Sequence, residues 1–345
     1  MRAAKYIVLG PINLPYSPFV ISLIFCLCAL VMATAFLALN VGTTDLTHEQ
    51  LLSWIISFGQ NGDIDVAELM ALRAPRVGVA VLGGAMLAAS GYLLQVASGN
   101  ALADPGLLGL SQGTSAFILL GSIVFNLPTQ WLASFGLIGG LLAAALVLLL
   151  AFYLRLSNGL ILIGIATGII LSSLTEIVIV AGGIERYASY VIWSHGSLTA
   201  TSAIDVAHLA IWAGVVTLPL LMATRAIGPL ELGNDQAASL GISPRLTRLL
   251  LTVLATALVA PVVAIVGPIS FLGLISSHIA RRMVGAKPGE VLPITMLIGM
   301  IVVLIADLAG RTLFNPVIIP AGLIISILGV FSFLSVAAFA RISKQ

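Results

Sequence analysis

The chain has 345 residues, of which 60% are hydrophobic and only 8% charged, and its formal net charge is +2. A soluble domain carries about 25% charged residues, so this composition excludes an ordinary soluble fold. The small net charge and the lack of a basic run exclude a nucleic-acid-binding chain.

One helix across a bilayer takes roughly 20 mostly apolar residues. Ten apolar segments follow one another along the chain: Phe19 to Leu39, Val77 to Leu94, Gly106 to Phe125, Trp131 to Leu154, Leu160 to Ala181, Val206 to Ala223, Leu249 to Val266, Ile269 to Ala280, Leu292 to Leu313 and Val317 to Ala340. The expected fold class is therefore an all-α integral membrane protein of about ten transmembrane helices, one domain over residues 1–345. The first segment follows Arg2 and Lys5. It is too long for a signal-peptide core and is expected to be a retained span. Cys26 and Cys28 lie two positions apart within it and point to different faces. They are expected to be buried thiols rather than a disulfide or a metal site. The eighth segment is short, either a half-length helix or one that runs on into Arg281 and Arg282.

The basic residues orient the segments. With the N-terminus inside, the inner side holds Arg2, Lys5, Arg155, Arg225, Arg245, Arg248, Arg281, Arg282, Lys287, Arg341 and Lys344. The outer side then holds only Arg73, Arg76, Arg186 and Arg311. Both termini are accordingly expected in the cytoplasm.

Two connections are long. The outer one, residues 42–72, carries Thr47-His48-Glu49-Gln50 ahead of Leu51, Leu52, Trp54, Ile55 and Ile56. This is a capping box before an apolar run and predicts a short amphipathic helix. The inner one, residues 224–248, is polar and predicts one or two short helices outside the lipid. After the fifth segment, Gly182-Gly183 and the stretch Tyr187 to Trp193 read either as a half helix lining a pore or as a surface loop.

Chemistry is sparse. The dipeptide Gly-Lys is absent, so there is no P-loop for ATP. There is no His-Glu-x-x-His motif and no Cys-x-x-Cys pair, and His48, His195, His208 and His278 are scattered. No catalytic or metal cluster is legible, so the chain is not expected to be an enzyme or to bind a cofactor. Two acids lie within apolar segments, where an ionisable group is costly and marks a candidate functional position. Glu176 either faces a water-filled channel or pairs with a neighbouring helix. Asp307 stands four residues before Arg311 and can pair with it on one helix face. Arg73 and Arg76, three residues apart, either snorkel to headgroups or receive carboxylates of an outer partner.

Several longer motifs carry a family resemblance. Leu72-Arg-Ala-Pro-Arg-Val77, Asn100-Ala-Leu-Ala-Asp-Pro-Gly-Leu-Leu-Gly109, Gly267-Pro-Ile-Ser-Phe-Leu-Gly-Leu-Ile-Ser-Ser-His-Ile-Ala-Arg281, Ala306-Asp-Leu-Ala-Gly-Arg311 and Ile319-Pro-Ala-Gly322 occur in that order. Together they resemble the ABC importer permeases for ferric siderophores, haem and vitamin B12, over roughly Leu72 to Val330. The resemblance implies a type II importer permease of the bacterial cytoplasmic membrane. It would pair with a second permease, identical or paralogous, around a central pathway. Two cytoplasmic subunits would bind ATP and magnesium, and a periplasmic or lipoprotein binding protein would deliver cargo. It also implies site roles. Arg73, Arg76 and Arg311 would dock the binding protein. Asp235, Ala237, Leu240 and Gly241 would couple to the ATPase. Asn100 and Leu102, with Ser157 and Asn158, would narrow the inner end of the pathway. Three positions depart from the family pattern: Ala101 and Ser277 stand where Pro is usual, and Asp235 where Glu is usual. A ferric siderophore is the expected cargo, with haem or vitamin B12 as alternatives. An ion-coupled secondary transporter using Glu176 is the rival from another class, and a membrane enzyme would need a cluster that the sequence lacks.

Overall fold

The computed structural model describes residues 5–9, 12–42, 47–57, 64–154, 159–182, 190–314 and 316–342. A short antiparallel hairpin, β1 (Lys5–Leu9) against β2 (Ile12–Tyr16), precedes the bundle. The helices then run in chain order: α1 (Pro18–Asn40), α2 (His48–Ile56), α3 (Ile64–Ser98), α4 (Leu110–Leu119), α5 (Thr129–Leu154), α6 (Gly159–Gly182), α7 (Ala203–Glu231), α8 (Asn234–Ser239), α9 (Pro244–Val266), α10 (Leu272–Val284), α11 (Pro288–Thr312) and α12 (Ala321–Ile342). A 3-10 turn at Pro105–Leu108 leads into α4, and a π turn at Leu120–Val124 ends it. Residues 190–194 form one further helical turn.

All ten expected apolar segments are helical, in the expected order. Seven helices are long and apolar enough to cross a membrane, and residues 111–124 and 321–332 form shorter apolar helices. The eighth segment is α10, whose 13 residues include Arg281 and Arg282 in the last turn. At 1.5 Å per residue it spans about 20 Å, less than the hydrocarbon core. Both readings of that segment therefore hold: it is a half-length helix, and it continues into the two arginines. Both long connections are shorter than expected: α7 runs on to Glu231 and α9 already begins at Pro244. α3 begins at Ile64, so the last part of the connection expected up to residue 72 is already helix.

Local chemistry explains the helix starts. Proline occupies the first turn of α1, α9 and α11, where its missing N–H is no loss. α2 opens on the expected capping box. The Gln50 backbone N–H donates to Thr47 Oγ1 (3.3 Å), and the Thr47 N–H donates back to Gln50 Oε1 (3.1 Å). Ser202 and Asp205 form the same device at the start of α7, with the Ser202 N–H donating to Asp205 Oδ2 at 2.8 Å.

α3 is the axis of the bundle. Its apolar window is 83% buried, against 17% for α7 and 22% for α1. It packs against α11, α9, α7, α10 and α1. Two glycines let the backbones meet. A Cβ on Gly91 would collide with the Gly273 backbone of α10, and one on Gly84 would sit 2.7 Å from the Gly299 carbonyl oxygen of α11. Lipid offers no hydrophobic drive between helices, so such close packing and interhelical hydrogen bonds hold them together. Ser90 donates to the Ala255 carbonyl (2.7 Å), and Ser277 donates to Gln95 Oε1 (2.8 Å). Trp212 Nε1 donates to the Ala257 carbonyl (2.5 Å).

Cys26 and Cys28 depart from expectation. Both are free and exposed. α1 turns Val20, Leu27, Val31 and Thr34 toward the bundle, and the cysteines fall on its outer side.

Candidate functional site

At one end of the bundle, α1 and α11 finish beside the first turns of α3. Arg73, only 6% exposed, donates through Nη1 to the carbonyls of Leu39 (2.9 Å) and Asn40 (3.0 Å). It thus satisfies the last carbonyls of α1 and meets the negative end of its dipole. Arg76 forks onto Asp307 of α11, with Nε and Nη2 at 2.7–2.9 Å from the two carboxylate oxygens. Arg311 donates to the Ala38 carbonyl, and its Nε lies 3.7 Å from Asp307 Oδ2. Of the three arginines picked out in the sequence, Arg76 and Arg311 therefore meet at one buried carboxylate, while Arg73 closes the end of α1. Asp307 does stand beside Arg311, but its close bidentate partner is Arg76, 231 residues away. Sequence spacing can suggest only the local pair.

A cavity of about 690 Å³ lies between α4, α6, residues 190–195 and the segment that enters α10. Leu102 and Glu176 line it, together with Asp104, Gln112, Tyr190 and His195. Asn100, at the adjoining turn, accepts the Leu102 N–H on Oδ1 (2.9 Å). Ser157 and Asn158 lie outside the described residues. Asp104 was not singled out by sequence reasoning, although the Asp-Pro-Gly run is a turn signal. Its Oδ1 accepts the Gly106 N–H and its Oδ2 the Phe271 N–H, both at 2.9 Å. It therefore ties the turn before α4 to the start of α10. Burial pushes its carboxyl above the usual carboxylate range, and the two N–H donors pull it back down. Phe271 holds φ +65°, an unusual conformation for a bulky side chain, and this bond helps keep it there.

The opposite end carries the short helix α8. Gly233 (φ +118°) and Gly241 (φ +79°) bracket it in conformations that favour glycine. Ala237 is fully buried and seats the helix, while Asp235 is exposed and Leu240 is 62% exposed. Arg248 Nη2 donates to Asn234 Oδ1 at 3.1 Å. Sequence reasoning missed the neighbouring ion pair between Arg281 of α10 and Glu231 of α7 (2.8 Å). The Arg281 guanidinium also stacks over the Tyr92 ring of α3, 5.1 Å from its centroid. Among the described residues no group of His, Cys, Asp and Glu is arranged to hold a metal ion.

The chain is similar to known transport proteins over most of its length. It is 32% identical over 317 residues to the iron-uptake system permease protein FeuC of Bacillus subtilis, covering 89% of this chain and 94% of that protein. It is 34% identical over 315 residues to a Staphylococcus aureus protein named as the probable heme-iron transport system permease IsdF, covering 89% and 92%. Among solved structures, it resembles an inward-facing metal-chelate type ABC transporter with a TM-score of 0.76 and 27% identity, over 92% of this chain and 99% of that one. The FecCD transport family matches residues 29–339. The chain belongs to the FecCD transport family and is a multi-pass permease of the bacterial inner membrane.

Proposed function

We propose that this permease carries a ferric siderophore across the cytoplasmic membrane by alternating access, powered by ATP hydrolysis on separate subunits. The observation that carries the reading is the cavity of about 690 Å³ beside α4 and α6, in a chain that presents α8 at one end of the bundle. A cavity of that size suits a chelate-sized ligand. The printed iron-uptake role of FeuC supports iron as the transported element.

In this reading the chain works with a second permease copy or paralogue, two ATP-binding subunits and an outer binding protein. ATP and magnesium belong to the partner subunits, and both termini of this chain lie in the cytoplasm. α8 docks on the ATPase through Asp235 and Leu240, while Ala237 and the Gly241 turn hold it to the permease. Motion of α8 reaches the membrane helices through α7 and α9, which flank it in sequence. Asn100 and Leu102, with Ser157 and Asn158, narrow the inner end of the path. Arg73, Arg76 and Arg311 lie together at the outer end, among acids that include Glu49, Asp65 and Glu68 as well as Asp307. The arginine cluster attracts an acidic face of the binding protein locally. Because the guanidiniums already bond within the chain, the attraction acts mainly as a field, and affinity for the binding protein falls as salt rises.

Reconstitution tests the reading. Vesicles holding the permease, its ATPase and its binding protein are expected to accumulate a radiolabelled ferric siderophore only with ATP. Concentrative uptake by the permease alone would overturn it. A second reading, haem-iron cargo, is supported by the likeness to IsdF. Faster uptake of haem than of any ferric siderophore by the same vesicles would favour it.

A further inference from the structure

The cavity has an uneven chemistry. Its described wall carries two carboxylates, Asp104 and Glu176, and no lysine or arginine. Asp104 is 9% exposed, and both of its oxygens are taken by backbone N–H groups. Glu176 differs. It is exposed, and it forms no hydrogen bond or ion pair with a described residue. The Tyr190 hydroxyl pairs with Ser115 and lies within the field of Glu176. Gln112, in the same wall, has a buried Oε1 with no hydrogen-bond partner. His195 is committed through Nδ1 to the Val191 carbonyl (2.6 Å), so that nitrogen carries a proton. Among the described residues, the open charged group of this wall is thus the Glu176 carboxylate.

We propose that Glu176 makes the cavity select ferric chelates of positive net charge and disfavour polyanionic chelates. The proposal rests on the importer reading above and adds the charge class of the cargo. Its physical basis is the weak screening of a carboxylate in a cavity walled by apolar helices. A like charge is repelled there more strongly than in water, and an ammonium group is drawn in. A catecholate-type chelate with several negative charges, or a haem with two carboxylates, meets the same repulsion.

The test uses the full complex in vesicles and two tris-hydroxamate ferric chelates built on one scaffold. One bears a free ammonium group. In the other that amine is succinylated, which replaces its positive charge with a negative one. The readout is the ratio of initial uptake rates, cationic over anionic. The same binding protein serves every variant, so its own preference cancels when ratios are compared. Removing or reversing one charge close to the cargo is expected to lower the ratio by about tenfold in Glu176→Gln and further in Glu176→Lys. Gln112→Glu adds a carboxylate to the same wall and is expected to raise the ratio severalfold. This second arm reads the proposal even if a Glu176 variant fails to assemble. Ratios that stay within about twofold of the unaltered complex while iron still accumulates on ATP would overturn the proposal and leave the importer reading standing. No ATP-dependent accumulation of either chelate by the unaltered complex would sink the importer reading, and this proposal with it.

Discussion

The two ends of the bundle treat charge in opposite ways. At the arginine end, Asp307 and Arg311 are 4% and 7% exposed, and their bonds run inward to Arg76 and to the carbonyls that close α1. At the α8 end, the ion pair between Arg281 and Glu231 remains partly in solvent, and Leu232, Leu240 and Leu246 stand exposed beside it. The first arrangement locks three helices together. The second leaves apolar and charged surface uncovered, as expected where another protein docks. Similar residue types thus serve cohesion at one end and contact at the other, and burial decides which.

The contrast can be broken by mutation, most severely at the arginine end. Asp307→Asn removes the one carboxylate facing Arg76 and Arg311. Loss of a partner from a buried pair costs about 3–5 kcal/mol, so thermal unfolding in detergent is expected to shift strongly. A shift no larger than that of a surface substitution would mean that the cluster does not hold the helices. Gly91→Val comes next. It forces a side chain into the α3–α10 crossing, and overpacking of that kind costs about 1–3 kcal/mol. Purified protein should unfold earlier while keeping its helical content.

The α8 end sharpens the comparison from the other side. Glu231→Gln opens a partly exposed pair worth about 0–1 kcal/mol, so stability should barely move. ATPase stimulation by the permease is nevertheless expected to fall, because the pair ties α7, just before α8, to α10. Leu240→Ala is the mildest in folding terms, with an effect within about 0.5 kcal/mol. Its expected signature is weakened binding of the ATPase subunit, read by co-purification. Equal binding with and without the Leu240 side chain would remove it from the docking surface.

The sequence carried much of this architecture because lipid imposes a one-dimensional rule. Each crossing needs its own apolar run, so ten runs could be counted and all ten are helices. Capping chemistry is equally local, and the Thr47–Gln50 box was legible before α2 was seen. The short length of α10 was also readable from the brief apolar run before Arg281.

The partners of those residues were not legible. Arg76 and Asp307 lie 231 positions apart, and Asp104 meets Phe271 across 167. Spacing predicts neighbours only within one helix, which is why the expected bridge from Asp307 to Arg311 proved the longer contact, at 3.7 Å. The outward position of Cys26 and Cys28 likewise depended on which face of α1 meets α11 and α3, and an evenly apolar helix does not announce that. By itself the sequence determined which stretches form apolar helices and in what order, because that follows from short-range solvation and backbone hydrogen bonding. Only the tertiary structure decided which charges neutralise one another, which glycines touch, and that Glu176 opens onto a cavity, because those outcomes depend on how distant helices pack.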